Sequence, residues 1–243
     1  GVAGQLGIGT ENIVEFTKTI AMLGDATDVS GEQAALSLSR FMNVMGTAES
    51  DIDRLGSTIV GLGNNFAAME SEIINIATSM APLGNSVGLT EQQVLAFATT
   101  IAASGGQAEA ASTAFQKTAN IMKQAVISGN SDLKVFAETA GMSSAAFQQA
   151  FQQDAAGAIQ AFMKGLRRVQ EEGGSMVTVL QEIGLADQRL IREFGKVLGN
   201  LDDLDKAIKL SNQEWQRNTA LTEEAQKRYS TFNSRLGILY NQV

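Results

Sequence analysis

Apolar residues recur every three or four positions along most of the chain, which is the spacing of one face of an α-helix. In the first such segment Thr10 is a candidate N-cap, and Ile13, Phe16 and Ile20 lie on the apolar face. No segment alternates apolar and polar residues in the way that predicts a half-buried strand. The pattern therefore predicts an all-α fold, in which many helices form a bundle or array joined by short glycine-containing turns.

Several helix ends are marked by the residue types that cap helices. Ser30 and Thr90 precede apolar helical segments and are followed three residues later by Gln33 and Gln93, which is the spacing of a capping box. Gly46 is expected to end the helix that begins after Ser30. Two later helices are also expected to begin at N-cap residues, namely Ser131 and Asp154.

The stretch GSTIVGLGNNF, which starts at Gly56, combines three glycines with an unbroken apolar phase. Gly56 and Gly61 have the separation of the two glycines in a phosphate-binding loop, but Leu62 and Gly63 stand where that loop has its lysine and its hydroxyl residue. We therefore interpret Gly56 and Gly63 as positions where a neighbouring helix approaches closely. Either one helix runs through the stretch, or two helices meet at its GNN segment, which the low helix propensity of glycine favours.

The C-terminal segment, residues 200–243, carries more charge and has Gly237 as its one glycine. Its stripe of heptad positions alternates steps of three and four, and the polar residues in the middle of the stripe can set the register or the oligomeric state. The stripe comprises Leu201, Leu204, Ile208, Ser211, Trp215, Asn218, Thr222, Ala225, Tyr229, Phe232, Leu236, Leu239 and Val243.

This spacing predicts one long C-terminal helix over residues 200–243, about 65 Å in length at 1.5 Å per residue. The helix follows a compact helical core domain over residues 1–199, and we favour a helix that projects in part from that domain over one that folds back over it. Its heptads predict a coiled coil that joins copies of the chain. We expect a trimer, and a dimer stays open.

The composition excludes several kinds of chemistry. The chain has neither histidine nor cysteine, so Ser-His-Asp and Cys-His catalysis, the usual zinc sites and disulfides are impossible. Its 18 basic residues stand against 26 acidic ones, for a net charge of −8, and sequence-specific binding of nucleic acid is not expected. We predict a protein that is not an enzyme and has no catalytic, cofactor-binding or metal-binding residue.

Two weaker patterns do not change that prediction. Ser131 and Lys134 have the S-x-x-K spacing of serine acylases, but the companion motifs are absent and Ser131 is better placed as a helix cap. Pairs of acidic residues have the composition of glycosidase sites, yet most fall in first turns of helices, where the helix dipole favours them. The pairs are Asp51 and Asp53, Glu70 and Glu72, Glu171 and Glu172, and Asp202 and Asp203.

Four segments in order resemble phage tail tape measure proteins of the TP901 type. The first is ALSLSRFMNVMGTAESDIDRLGSTIVGLGNNFAAMESEI, residues 35–73, with its DIDRL turn and LGNN segment. The second is GLTEQQVLAFATTIAASGGQAEAASTAF, residues 88–115. FAETAGMSSAAFQQAF, residues 136–151, and the segment over residues 218–243 are similar to later parts of the family. No single motif is catalytic, and the specificity lies in the ordered set.

The resemblance implies a structural protein of the virion, assembled in the host cytoplasm and held inside the tail tube. Family members act in tail assembly and length control and leave the tube ahead of the genome during ejection. The implied partners are the tail tube protein, tail assembly chaperones, tail tip proteins and further copies of the chain, with contact to the host membrane during ejection as a further expectation. An acidic surface would repel the DNA that follows through the tube.

Two alternatives from other functional classes stay open at this point. One is a helical scaffold that binds other proteins, and the other is a membrane-active helical domain that uses residues 73–108 during DNA delivery. That region has Glu91 as its one charged residue, but it also contains Pro82 and Asn85, so it fails as a bilayer span. We expect residues 73–108 to form buried helices.

Overall fold

The computed structural model describes the backbone of residues 8–241 and the side chains of residues 8–231. The described structure is 82% helical, with thirteen α-helices and no strand, which confirms the predicted all-α array. The helices are α1 (Ile13–Ala26), α2 (Gly31–Met45), α3 (Ile52–Asn65), α4 (Glu70–Val87), α5 (Glu91–Ala103), α6 (Ala108–Ser128), α7 (Ser131–Ala140), α8 (Ser144–Gln153), α9 (Ala155–Glu171), α10 (Met176–Glu182), α11 (Gln188–Gly199), α12 (Leu201–Arg217) and α13 (Ala220–Asn241). A short 3-10 helix, Glu49–Asp51, leads into α3.

Helix α3 lies at the centre of the first group of helices and contains most of the glycine-rich stretch. Ile52 and every residue over 55–62 are buried, because α3 is surrounded by α1, α4, α5, α12 and α13. Five neighbours can pack around one helix when its surface is small, since the distance between helix axes depends on side-chain size. Gly56 and Gly61, with Ser57 and Thr58 between them, provide such a surface.

The second group comprises α6 to α11, and α6 also contacts α4 of the first group. Its core contains Phe136 on α7, whose ring centroid lies 4.9 Å from that of Phe162 on α9 and 6.2 Å from that of Phe147 on α8. Gly165 on α9 faces the carbonyl oxygen of Thr139, and a Cβ added at Gly165 would overlap that oxygen. The backbones of α7 and α9 are therefore in direct contact where the two helices cross, at Thr139 and Gly165.

Most of the predicted helix caps are confirmed. The Ser30 and Thr90 side chains accept hydrogen bonds from the backbone N–H groups three residues later, and the Asp154 carboxylate accepts one from Gly157. Gly46 ends α2 in the left-handed conformation, with φ 75°. The cap positions found in the sequence thus mark real helix ends.

Two predicted caps are wrong. Thr10 is not the cap of α1, because a turn separates it from the first helical residue and Asn12 takes the N-cap position. Ser131 is the first residue of α7 and not its cap, because the Asn130 side chain accepts the hydrogen bond from Asp132 N at 3.1 Å. A polar residue one position earlier takes the capping role in the second case.

The glycine-rich stretch ends in a break between two helices, as predicted, although the break lies further along the chain. Helix α3 continues through Gly63 to Asn65, and Phe66 is the first extended residue. The packing hypothesis fits Gly56, where neighbouring helices approach, whereas Gly63 faces the side chain of Glu70. Residues 73–108 form most of α4, the whole of α5 and the start of α6. One face of α4 and residues 94–101 of α5 are buried, whereas Pro82 and Asn85 are exposed, so the expectation of buried helices is confirmed in part. No described helix is both long and apolar enough to cross a membrane.

The predicted single helix over residues 200–243 is instead two helices. Helix α12 begins at Leu201, as expected, but it ends at Arg217, and Asn218 adopts the left-handed conformation with φ 53° and ψ 43°. Helix α13 then begins at Ala220 and folds back against α1 and α3, whereas we expected the segment to project in part. The prediction was wrong because the spacing of apolar residues stays the same when a single residue, here Asn218, leaves the helical conformation. The end of the predicted stripe, Phe232 to Val243, lies outside the residues whose side chains are described.

Candidate functional site: the C-terminal hairpin

We call α12, the turn at residues 218–219 and α13 the C-terminal hairpin. Its first arm, α12, packs against α3 and α5. Leu201, Leu204 and Ala207 are at most 1% exposed, and the buried Ser211 hydroxyl donates a hydrogen bond of 2.9 Å to the Gln92 carbonyl oxygen on α5. Because even a polar position of the stripe is buried and paired, α12 is an integral part of the helical core.

The buried stripe of α12 differs slightly from the predicted one. Ala207 and Glu214 are buried, whereas the predicted positions Ile208 and Trp215 are half-buried. Helix α12 packs against both α3 and α5, so burial extends to Ala207 and Glu214, which lie beside the predicted stripe.

The turn is tied to the start of α3 by two hydrogen bonds. The Asn218 amide donates to the Asp53 carboxylate, and Arg54 Nη1 donates to the Trp215 carbonyl oxygen at 2.9 Å. Asparagine tolerates the left-handed conformation better than most residues. The sequence did contain this signal, since an asparagine directly after Arg217 is typical of a helix C-terminus.

The second arm, α13, lies in a groove between α1 and α3, which we call the α1–α3 groove and which Thr19, Leu23 and Gly56 line. A Cβ added at Gly56 would lie 3.0 Å from Leu221 Cδ2 and 3.1 Å from Thr19 Cγ2. Gly56 therefore lets α1 and α13 approach α3 together. Leu221 is fully buried in this groove and Ala225 is 2% exposed.

The arms run in opposite directions along α3. Asn218 lies beside Asp53 at the start of α3, and the earlier α12 residue Lys206 borders Asn65 at its end, so α12 is antiparallel to α3. Further along α13, Lys227 borders Asn65, so α13 returns parallel to α3. The Tyr229 hydroxyl donates a hydrogen bond to Asp25 near the end of α1.

An open depression lies between the C-terminal hairpin and the end of α3, lined in part by Asn64, Glu223 and Lys227. Glu214 also lines it, with Oε1 3.7 Å from Arg217 Nη1 and a buried Oε2 that has no hydrogen-bond partner. Within the described part of the chain, no group of three or more acidic side chains is placed to hold a metal ion. At this depression the Glu214 carboxylate therefore has one oxygen near Arg217 and one buried oxygen without a hydrogen-bond partner.

Sequence reasoning missed a buried carboxylate at Glu193 on α11, which is 1% exposed. Its oxygens accept hydrogen bonds from Lys196 Nζ at 2.8 Å, Gln107 N at 2.9 Å and Arg192 Nε at 3.2 Å. These hydrogen bonds lower the pKa of Glu193 to about 2, and the bond from Lys196 has the largest effect. The carboxylate holds the turn between α5 and α6 against α11, and no local pattern indicates a contact with Gln107 so distant in sequence.

The weaker chemical patterns are explained by structural contacts. Lys134 lies 3.7 Å from Glu138 on the exposed side of α7, so the lysine of the S-x-x-K pattern is part of an ordinary intrahelical ion pair. In the glycine-rich stretch, the positions of a phosphate-binding loop are part of the buried helix α3. Neither pattern brings reactive groups together.

The acidic pairs serve as helix and interhelix contacts. Asp51 pairs with Arg54 at 3.2 Å, and Asp203 pairs with Lys206 at 2.9 Å. Arg167 joins α9 to α12. It contacts Glu171 on α9 at 3.9 Å and Asp202 on α12 at 3.0 Å.

The remaining pair, Glu70 and Glu72, lies at the start of α4. Glu72 accepts a hydrogen bond from Met69 N at 3.4 Å. The neighbouring residue Ser71 donates from both its N–H and its hydroxyl to Asp28. Burial would raise the pKa of Asp28, but the hydrogen bonds from Ser71 lower it overall, and burial raises the pKa of Glu70. These acids organise a junction between helices.

The model of one protein family, described as phage-related minor tail protein, matches residues 1–174. No curated protein and no solved structure matches the chain. The matched region covers well over half of the sequence and includes three of the four segments that resemble tape measure proteins. The chain therefore belongs to the family of phage-related minor tail proteins, in which its role is structural, within the phage tail.

Proposed function

We propose that this chain is part of a tail tape measure protein, which directs tail assembly, sets tail length and leaves the tail during genome ejection. Family membership supports a phage tail protein, and the four ordered segments favour the tape measure class. The observation that carries the proposal is the C-terminal helix α13, in which the apolar spacing of the preceding helix continues across the turn. A helix rises by 1.5 Å per residue, so the number of residues translates directly into distance.

The partners proposed for this role are the tail tube protein, the tail assembly chaperones, the tail tip proteins and further copies of the chain. A net charge of −8 suits a protein that occupies the tube before DNA passes through it, because like charges do not associate. We place the protein inside the tail tube of the virion, after assembly in the host cytoplasm. A trimer is the oligomer that we propose, through the C-terminal heptads that follow α12, because those of α12 itself are buried against α3 and α5.

Tail length tests this proposal directly. We would insert one, two or four extra copies of residues 220–240 after Tyr240 in the phage gene, which adds whole heptads and keeps the apolar phase. If the helix measures length, tails should lengthen by about 30, 60 and 120 Å, at 1.5 Å per residue. Negative-stain electron microscopy of many tails gives the mean length for each phage.

A matched control inserts the same numbers of residues as a Gly-Ser linker into the turn at Gly105, where the chain is not helical. The control separates the effect of a longer helix from that of a longer polypeptide. Tails that assemble at unchanged length with all three helical insertions would reject length control and leave a minor tail protein with another structural role.

A further inference from the structure

Helix α13 is joined to the rest of the protein by a turn that a straight helix could replace. Among the described non-glycine residues, Asn218 alone has a positive φ, and the turn contains neither glycine nor proline. Thr219 Oγ1 is buried there without a hydrogen-bond partner, which costs free energy that a solvated hydroxyl does not. The turn therefore leaves one buried hydroxyl unpaired and depends on the tolerance of Asn218 for the left-handed conformation.

The sequence around the turn also supports a continuous helix. The apolar phase passes from Trp215 through Asn218 and Thr222 to Ala225 in steps of three and four. If residues 218 and 219 became helical, α12 and α13 would form one helix of about 60 Å. Leu221 and Ala225 would then lie far from the α1–α3 groove of their own chain, and that groove would be empty.

We propose that the α1–α3 groove is also a docking surface for a second copy of this chain, which inserts its α13 when residues 218 and 219 straighten. The exchange keeps every contact that α13 makes in the groove, because the incoming helix has the same sequence. Exchange of an identical element between copies is a low-cost route to association. The inference deepens the self-association proposed above, and it does not depend on length control.

The groove selects α13 through three contacts. Gly56 leaves room for Leu221, whose Cδ2 would be 3.0 Å from any added Cβ. The buried Ala225 lies one turn further along α13, and Tyr229 donates its hydroxyl hydrogen to Asp25. A helix needs a large apolar residue, a small one and a hydrogen-bond donor, each four residues apart, to fill this site.

Two opposite substitutions at the turn test the proposal. Asn218→Gly removes the cost of the left-handed conformation and should keep the chain closed as a monomer. Asn218→Ala raises that cost and favours a helix, so it should strengthen dimerisation by about tenfold or more relative to Asn218→Gly. Both variants lose the amide that contacts Asp53, so they are matched in that respect. Sedimentation equilibrium measures the dissociation constants.

Cross-linking then shows which copy supplies α13. The chain has no cysteine, so single cysteines can be placed by Asp25→Cys in one preparation and Tyr229→Cys in another. In the Asn218→Ala background, a short bismaleimide should join the two preparations to each other after mixing. A double variant in the Asn218→Gly background should react within one chain. To separate exchange from a folding defect of Asn218→Ala, the two preparations with Asn218 retained are also unfolded together, refolded and cross-linked.

Interchain products in either mixture that decrease with Asn218→Gly support the exchange. Oligomers that form without cross-links between positions 25 and 229 would overturn it and would leave association through other surfaces, such as a coiled coil, intact. Chains that stay monomeric with Asn218→Ala and yield no interchain product after joint refolding would overturn the exchange as well. The tail-length experiment is unaffected by either result.

Discussion

The two arms of the C-terminal hairpin share one continuous stripe in the sequence but hold very different places in the structure. Helix α12 is enclosed by α3 and α5, and its buried face includes the polar residues Ser211 and Glu214. On the described part of α13, Leu221 and Ala225 are the buried residues. The stripe therefore shows that both arms have an apolar side, but it does not show how deeply that side is covered.

The difference originates in α3, which presents a different glycine to each arm. A Cβ at Gly61 would meet the Glu214 side chain of α12, whereas a Cβ at Gly56 would meet Leu221 of α13 and Thr19 of α1. Each arm packs mainly against two helices, α12 against α3 and α5 and α13 against α1 and α3. Helix α12 buries five residues in these contacts, whereas the described part of α13 buries two. A helix enclosed by partners resists detachment, and a helix on the rim of a core opens at lower free energy.

The same truncation on each arm should have the larger effect on α12. Leu204 and Leu221 are both buried, and Leu→Ala in a core costs about 2–5 kcal/mol. We expect Leu204→Ala to lower the global free energy of unfolding by that amount, and Leu221→Ala to lower it by less, because α13 can detach while α3 stays folded. Urea denaturation of both variants measures the two values.

Hydrogen exchange provides the control for this pair. With Leu221→Ala, amides of α13 should exchange faster while those of α3 keep their protection. With Leu204→Ala, protection should fall in α3, α5 and α12 together. Equal losses of global stability with uniform exchange in both variants would mean that the two arms belong to one cooperative unit, which contradicts the comparison.

A side chain at Gly56 should push α13 out of the α1–α3 groove. Gly56→Leu adds bulk where Leu221 and Thr19 already lie within 3.1 Å of an added Cβ, and overpacking costs about 1–3 kcal/mol. For a chain of this length the melting temperature should fall by about 2–10 °C. Gly199→Leu is a matched control at the end of α11, since nothing lies within 4 Å of a Cβ there. An unchanged melting temperature for Gly56→Leu would disprove the close-approach interpretation.

Local chemistry explains what the sequence predicted well. The capping boxes at Ser30 and Thr90 and the glycine stop at Gly46 depend on neighbours within a few residues, so they are readable from the sequence. Asn218 is readable too as a helix C-terminus, but the heptad pattern predicts a continuous helix in which this asparagine is one of the polar positions. The error shows that a cap residue should take precedence over a stripe that passes through it.

Tertiary contacts explain what the sequence could not predict. Glu193 is charged and sits on a helix rich in charge, and its burial depends on Gln107 and the turn between α5 and α6. The role of Gly56 as the contact for α13, in contrast to Gly63, depends on which helices surround α3. Glycine spacing predicted close packing, but only the fold determines which glycine faces a helix and which faces a side chain.

Acid should weaken the contact between α11 and the turn that joins α5 and α6, because that contact depends on the Glu193 carboxylate. Its pKa is about 2 in the folded protein, below the ordinary value of 4.5, so its contribution to stability is full above about pH 4.5 and is lost as the pH falls toward 2. The turn between α5 and α6 should therefore loosen in this range. Denaturation of the wild type and of Glu193→Gln at pH 7 and at pH 3 measures the effect.

Glu193→Gln should be less stable than the wild type at pH 7, and the difference should shrink at pH 3. Arg192→Gln is a suitable control, since it removes an exposed partner and keeps the buried carboxylate with Lys196 and Gln107. It should retain most of the acid sensitivity. A constant difference between Glu193→Gln and the wild type at both pH values would show that the carboxylate charge does not stabilise this turn.

The smallest expected effect has the opposite sign and lies near α13. Burial raises the pKa of Glu70 above 4.5, the nearby Asp28 carboxylate raises it further, and the charge of Arg228 on α13 acts against them. A raised carboxyl pKa means that ionisation costs stability above that pKa and that the cost is absent below about pH 4.5. Glu70→Gln should therefore stabilise the protein at pH 7, by less than about 1 kcal/mol for a half-exposed group. Its gain over the wild type should vanish near pH 4.5.

Arg228 makes the Glu70 titration a probe of whether α13 is docked. In Arg228→Gln, or when α13 leaves the groove, Glu70 loses a compensating positive charge, so the stabilisation by Glu70→Gln at pH 7 should increase. Glu72→Gln in the same turn is the control, because it removes a neighbouring carboxylate and leaves Glu70 and Arg228 in place. Thermal denaturation of the single and double variants at pH 7 and pH 4.5 measures these terms. If Arg228→Gln does not change the effect of Glu70→Gln, α13 does not lie beside the start of α4, where Glu70 is. The contrast between the two arms is then larger than the structure indicates.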